Sequence, residues 1–171
     1  MMDADRHIDI MGIVNLTDDS YFSESRCGTD PRQARRAAMA RISDLIDEGA
    51  DIIDLGACST RPGSLPVGPE EEWRRLRPAL ETVRKEFPDV RISVDTYWSD
   101  VVRRAYDAIG DFIVNDISAG EDDPQMLPLV GRLGLTYVAM HKRGTPQTMQ
   151  SMTDYEDVTE AVATYFNEFV V

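Results

Sequence analysis

The sequence predicts an α/β fold: a parallel β/α barrel of the TIM type, incomplete, with about five βα units. Three observations carry this. Five short apolar runs, at residues 8–14, 51–55, 91–94, 112–114 and 135–140, alternate with helix-patterned stretches. Such alternation implies a parallel sheet with right-handed crossovers. Each run ends in polar residues: Asn15, Ser59-Thr60-Arg61, Asp95-Thr96, Asn115-Asp116 and His141. In a β/α barrel the chemistry sits at the C-terminal strand ends, and the opposite face serves stability. Finally, the connections are short, with no low-complexity stretch and no interdomain linker, so residues 1–171 read as one domain. Eight units would need about 250 residues. An open five-stranded sheet, with its ligand in a crevice at the strand ends, is the competing architecture. The residue types at the strand exits favour the barrel.

The helices follow from pattern and punctuation. Residues 31–48 carry apolar positions at Ala34, Ala37, Ala38, Ile42, Leu45 and Ile46, a helical stripe. Asp30 before Pro31 suits a helix start, and Gly49 suits its end. Residues 69–87 place Trp73, Leu76, Leu80 and Val83 on one side of a helix with a dense charged face. Pro78 within it predicts a kink or a two-part helix. Residues 99–108 form a third helix with Ser99 as its N-cap. A fourth opens at Asp123 or Pro124 and ends near Gly134. Residues 154–171 form a fifth, burying Val158, Val162, Tyr165, Phe166 and Phe169.

Composition limits the function. The chain has 171 residues, 42% hydrophobic, and a formal net charge of -13. Nucleic acid is bound mainly through clustered Lys and Arg, so this balance argues against nucleic acid and against anionic membranes. It leaves room for a small anionic substrate, which a few local cations and a metal can hold. Cys27 and Cys58 are far apart and read as reduced thiols. The acidic N-terminus lacks the apolar core of a signal peptide, and no run approaches the ~20 residues of a membrane span. A cytoplasmic, soluble protein is expected.

The strand exits supply the candidate site. Asn15 can offer a carbonyl oxygen to a hard cation and an amide donor to phosphate, or it can serve a turn. Thr60 and Arg61 suit an anion, the hydroxyl donating once and the guanidinium forking onto two oxygens. Asp54 lies inside an apolar strand, where an unpaired carboxylate is costly. It should point into the barrel mouth or bond a neighbouring strand, as a functional group or as a structural anchor. Asp95 and Asn115 leave neighbouring strands, and together they can match the N–H and C=N edge of a heterocycle such as a pterin. Asp95 could instead cap the helix that follows it. Met140 offers a soft wall to a flat ring. His141 has no metal-ligating companion and reads as a hydrogen-bonded structural residue.

Five segments, in order, resemble dihydropteroate synthase. They are Met11-Gly12-Ile13-Val14-Asn15-Leu16-Thr17, the run from Gly49 through Ser59-Thr60-Arg61-Pro62-Gly63, Ser93-Val94-Asp95-Thr96, Asn115-Asp116-Ile117-Ser118, and Met140-His141 through Met149-Gln150. The resemblance implies a β/α barrel that joins 6-hydroxymethyl-7,8-dihydropterin diphosphate to p-aminobenzoate, with Mg²⁺ assisting. It implies Asn15, Asp95 and Asn115 as the catalytic set, with Asn15 at the diphosphate and its metal. Thr60 and Arg61 would bind diphosphate and border the aminobenzoate site. Asp95 and Asn115 would bind the pterin, and Asp54 and Met140 would line its pocket. It also implies a full-length homodimer.

Some positions depart from the family pattern. Asp18 stands where the family has Pro, Cys58 where it has Glu, and the glycine pair after the first loop's Ser-Asp is missing. The family's later motifs, an Asp-Pro-Gly, a Ser-Arg-Lys and an Arg-x-His, do not occur. The chain therefore reads as the N-terminal part of a synthase, cut before strand six and inactive alone. Two alternatives remain: a pterin-binding barrel of the methyltetrahydrofolate methyltransferase type, and a non-catalytic half-barrel that binds a partner.

Overall fold

A computed structural model describes residues 8–16, 31–58, 67–145 and 148–169. Strands and helices alternate as expected: β1 (Met11–Asn15), α1 (Pro31–Asp47), β2 (Ile52–Gly56), α2 (Pro69–Glu86), β3 (Arg91–Asp95), α3 (Ser99–Ile109), β4 (Ile113–Asp116), α4 (Met126–Leu133), β5 (Thr136–Ala139) and α5 (Val158–Phe169). A 3₁₀ turn at Met149–Ser151 precedes α5. All strand pairs are parallel, in the order β1-β2-β3-β4-β5. Sequential parallel order is what successive right-handed crossovers produce, and it is the arc of a β/α barrel.

One face of the sheet packs against the helices. Val14, Ile53, Leu55, Ile92, Val94 and Val114 are buried there against Ile42, Leu76, Leu80, Val83, Val101, Val102 and Ala105. The other face carries the alternate residues of each strand, as a pleat of period two requires. Strand register orders this face into two rows. The lower row is Ile13, Asp54, Ser93, Ile113 and Thr136; the upper is Asn15, Gly56, Asp95, Asn115 and Val138.

Several local expectations are corrected. Helix α2 is one helix through Pro78, not two, and the Pro78 carbonyl accepts from Thr82 Oγ1 at 2.6 Å. Ser99 is not the cap of α3 but its first residue. Its amide donates to Asp123 Oδ2 at 2.8 Å, and Trp98 holds the cap position. Asp95 is no cap either, because Thr96 Oγ1 takes the Trp98 amide at 3.2 Å. Helix α4 starts at Met126, later than expected, after a turn in which Asp123 accepts the Gln125 amide with one oxygen and the Ser99 amide with the other. Gly134 closes α4 with φ +68°, a left-handed cap that favours glycine. In helix α5 the expected face is only half-buried, at Val162, Tyr165, Phe166 and Phe169, and Val158 is exposed. It leans on β5 through aromatic rings instead: Tyr137 stacks on Phe169 at 6.2 Å, and His141 meets Tyr165 edge-on at 4.9 Å.

Candidate functional site

The upper row gathers three of the expected site residues at one level. Asp95 and Asn115 are register partners on β3 and β4. Asn15, two strands from Asp95, lies across Gly56. A Cβ at position 56 would lie 3.1 Å from Asp95 Oδ2 and 3.5 Å from Asn15 Oδ1. Glycine there leaves the two side chains the space they occupy. Asn15 is exposed at the mouth, and Asp95 and Asn115 are half-buried.

Asp54, one row below and buried, does both things expected of it. It bonds neighbouring strands, accepting from Ser93 Oγ at 2.5 Å. It also faces the mouth, taking Asn115 Nδ2 at 3.3–3.4 Å. The second contact orients the Asn115 amide, so that Oδ1 is the atom turned away from Asp54. Burial raises the Asp54 carboxyl, and the Ser93 and Asn115 bonds restrain the rise. Asp95 has no such restraint, since no donor among the described residues bonds it. Burial pushes it up to about 7, and the charges of Asp54 and Asp116 add to the rise. A carboxylate held short of donors at the mouth of a barrel is poised to accept them from a ligand.

Sequence reasoning missed two carboxylates. Asp116 is fully buried and accepts three bonds: from the Ser118 amide at 2.7 Å, the Gly120 amide at 2.9 Å and the Tyr137 hydroxyl at 2.7 Å. It fixes the turn after β4, where Ala119 and Gly120 take φ of +52° and +81°. Glu72 on α2 is also fully buried, and burial carries its carboxyl up to about 7. Its signal was present: Glu72 falls on the stripe of Leu76, Ala79, Leu80 and Val83, not on the charged face.

Met140 follows β5 half-buried, its amide donating to the Asp116 carbonyl at 3.3 Å. His141 makes ring contacts with Tyr165 and Tyr155, not the side-chain hydrogen bond expected of it. Thr60 and Arg61 lie outside the described residues, as do Cys27 and most of the loop after β1. Among the described residues no group of three or more His, Cys, Asp or Glu could hold a metal ion. The exposed Asn15 carboxamide is a single hard oxygen. One such oxygen could serve a hard cation only alongside oxygens from water or a ligand.

Fold and row together define a β/α protein that gathers polar side chains at the C-terminal ends of its parallel strands. The pterin binding enzyme profile matches residues 11–170, and the chain belongs to that family. Among its relatives, the Arabidopsis thaliana mitochondrial folate synthesis bifunctional protein is 44% identical over 158 residues, 90% of this chain and 27% of the plant protein. Dihydropteroate synthase of Escherichia coli is 39% identical, covering 95% of this chain and 55% of the bacterial one. The Xanthomonas albilineans dihydropteroate synthase with 4-aminobenzoic acid superposes with a TM-score of 0.78 at 37% identity, over 94% of this chain and 54% of that one. The Clostridium difficile dihydropteroate synthase in the presence of pteroic acid gives 0.81 at 33% identity, over 99% and 60%. The chain thus spans about half the length of the bacterial synthases it matches. No helix among the described residues is long and apolar enough to cross a membrane.

Proposed function

We propose that the protein carrying this chain is a dihydropteroate synthase, a transferase of folate biosynthesis. The observation that carries the reading is the register pairing of Asp95 with an Asn115 whose amide Asp54 orients. Asp95 accepts the ring N–H donors of 6-hydroxymethyl-7,8-dihydropterin diphosphate, and Asn115 Oδ1 accepts a further one. Met140 walls the ring. The ring's methylene then points up and out of the row, where the amine nitrogen of p-aminobenzoate bonds to it. The carbon–oxygen bond to diphosphate breaks, the amine releases a proton, and 7,8-dihydropteroate and diphosphate leave.

Asn15, on the far side of Gly56 from Asp95, marks the diphosphate end of the pocket. It is the residue that would hold Mg²⁺, which when bound spreads the charge gathering on the leaving diphosphate. Thr60 and Arg61 belong to the same reading as anion ligands, on the chemistry of their side chains alone. A cytoplasmic location and a homodimer of the full-length protein complete it.

The test is pterin binding and dihydropteroate formation by the full-length gene product. Asp95→Ala should reduce pterin affinity at least about a hundredfold, the scale of two charge-assisted hydrogen bonds. Asn15→Ala should instead raise the Mg²⁺ concentration needed for turnover. Unchanged pterin affinity in Asp95→Ala would reject the site.

A further inference from the structure

Ser93 is a polar residue to which the chemistry above gives no task. It stands in the middle of β3, fully buried, on the lower row between Asp54 and Ile113. Buried parallel strands favour Val and Ile at such positions. A buried polar pair is usually no more stable than an apolar pair of the same shape. Stability therefore does not explain a Ser beside Asp54.

Ser93 Oγ donates to Asp54 Oδ1 at 2.5 Å. Asn115 Nδ2 donates to the same carboxylate, to Oδ1 at 3.4 Å and Oδ2 at 3.3 Å. Asp54 on β2 thus reaches Asn115 on β4 across β3, and Ser93 is the β3 residue level with it. The sense of these bonds follows from the groups. With the Ser93 hydroxyl and Asn115 Nδ2 donating, Asp54 accepts at both oxygens, and Asn115 Oδ1 is left for a ligand. The reverse arrangement is open to a protonated Asp54, which would donate to Asn115 Oδ1 and leave Nδ2 for the ligand. Burial favours that proton, and the Ser93 bond is the larger of the two that oppose it.

We propose that Ser93 sets ligand specificity at Asn115. By donating to Asp54 it keeps that carboxylate an acceptor, which keeps Asn115 Oδ1 outward and selects a ring that brings an N–H to it. Ser93 is a positioning residue and touches no substrate. The inference rests on the pterin reading for the ligand, and on the three bonds alone for the orientation of Asn115.

Two probes read the specificity of the full-length protein by titration calorimetry. One is 6-hydroxymethylpterin. The other is 6-hydroxymethyllumazine, in which a carbonyl oxygen replaces the 2-amino group. The parent should favour the pterin, and Ser93→Ala should narrow that preference about tenfold, the scale of one hydrogen bond. In an Asp54→Ala background the same change should leave the preference unaltered, because the hydroxyl then has no carboxylate to hold. A packing defect would act in both backgrounds. The orientation is read without ligand from the Asn115 side-chain amide by NMR, its signals identified by their absence in Asn115→Ala. Exchange of the Nδ2 protons with water should quicken at least about fivefold in Ser93→Ala.

Parental exchange at Asn115 in Ser93→Ala overturns the proposal. So does a parental preference between the two probes in Ser93→Ala, or an equal narrowing in the Asp54→Ala background. Faster exchange in a protein whose parent binds neither probe supports the tie from Ser93 through Asp54 to Asn115 and overturns the pterin reading instead. Should Ser93→Ala not fold, Ser93→Cys, whose thiol is a weak donor, takes its place under the same criteria.

Discussion

Replacing Asp116 with alanine should be among the most damaging single changes in the β4–β5 region. The carboxylate accepts two backbone amides and the Tyr137 hydroxyl at 2.7–2.9 Å, and it is shielded from water. Removing it leaves three donors without an acceptor. Unmet buried donors cost about 1–3 kcal/mol each, and the turn can relax some of them toward water, so the loss should be roughly 3–5 kcal/mol. It also releases a turn in which Ala119, a residue with a Cβ, sits at φ +52°. That conformation is uncommon outside glycine and needs its surroundings to hold it. Tyr137→Phe removes one of the three bonds and should cost about 1–2 kcal/mol. In the Asp116→Ala background the hydroxyl has already lost its acceptor, so the same change should cost close to nothing. Urea unfolding of the full-length protein and the three variants gives the cycle, with stability read from the midpoint at constant slope. A loss under about 1 kcal/mol in Asp116→Ala, or a Tyr137→Phe cost that is equal in both backgrounds, would refute the network.

Three further outcomes follow from the site's electrostatics and packing. Asp95 and Glu72 are both raised to about 7 by burial. A carboxyl raised above its unfolded value binds its proton more tightly when folded. It therefore subtracts stability as pH climbs from about 4, the unfolded range, to about 7, and no more beyond. Asp95→Asn should accordingly gain stability over the parent at pH 8 but not at pH 4, by thermal melts at each pH. Pterin affinity of the parent should fall as pH drops below about 7, because a protonated Asp95 can no longer accept two donors, and a flat profile by titration calorimetry would count against its role. Gly56→Ala places a Cβ 3.1 Å from Asp95 Oδ2 and should displace that carboxylate. Pterin affinity should drop about tenfold or more for a stability loss of only about 1–2 kcal/mol, the usual scale of mild overpacking. Equal affinity in calorimetry would mean that the row has slack the register does not suggest.

The sequence was most readable where a strict period or a terminal residue set the structure. Each apolar run became a strand to within a few residues, because a buried parallel strand needs a short continuous apolar stretch and tolerates little else. The pairing of Asp95 with Asn115 was legible because both stand at strand exits in adjacent units. Features decided by contacts between distant segments were not. Asp123 looked like a helix start and does accept the Gln125 amide just ahead of α4, but its second oxygen takes the amide of Ser99, 24 residues away in sequence, a contact no local pattern shows. The face of α5 looked like core, yet it is only half-buried, stacked through Phe169 on the Tyr137 ring of β5. Glu72 hid inside a run of three glutamates, a pattern that ordinarily marks only a favourable helix N-terminus.

The upper row draws one residue from each of five βα units: Asn15, Gly56, Asp95, Asn115 and Val138. That arrangement divides the chain into parts that evolution or an engineer can edit freely and parts that must keep their count. Lengthening a loop between a strand and its helix changes what arrives above the row but leaves the row itself in place. Deleting a single residue within β3 would turn the strand over, sending Val94 into the pocket and Asp95 into the packed helices. Insertions and deletions should therefore be found in the connections and not within the five strands, while substitutions in the row redraw the pocket one position at a time.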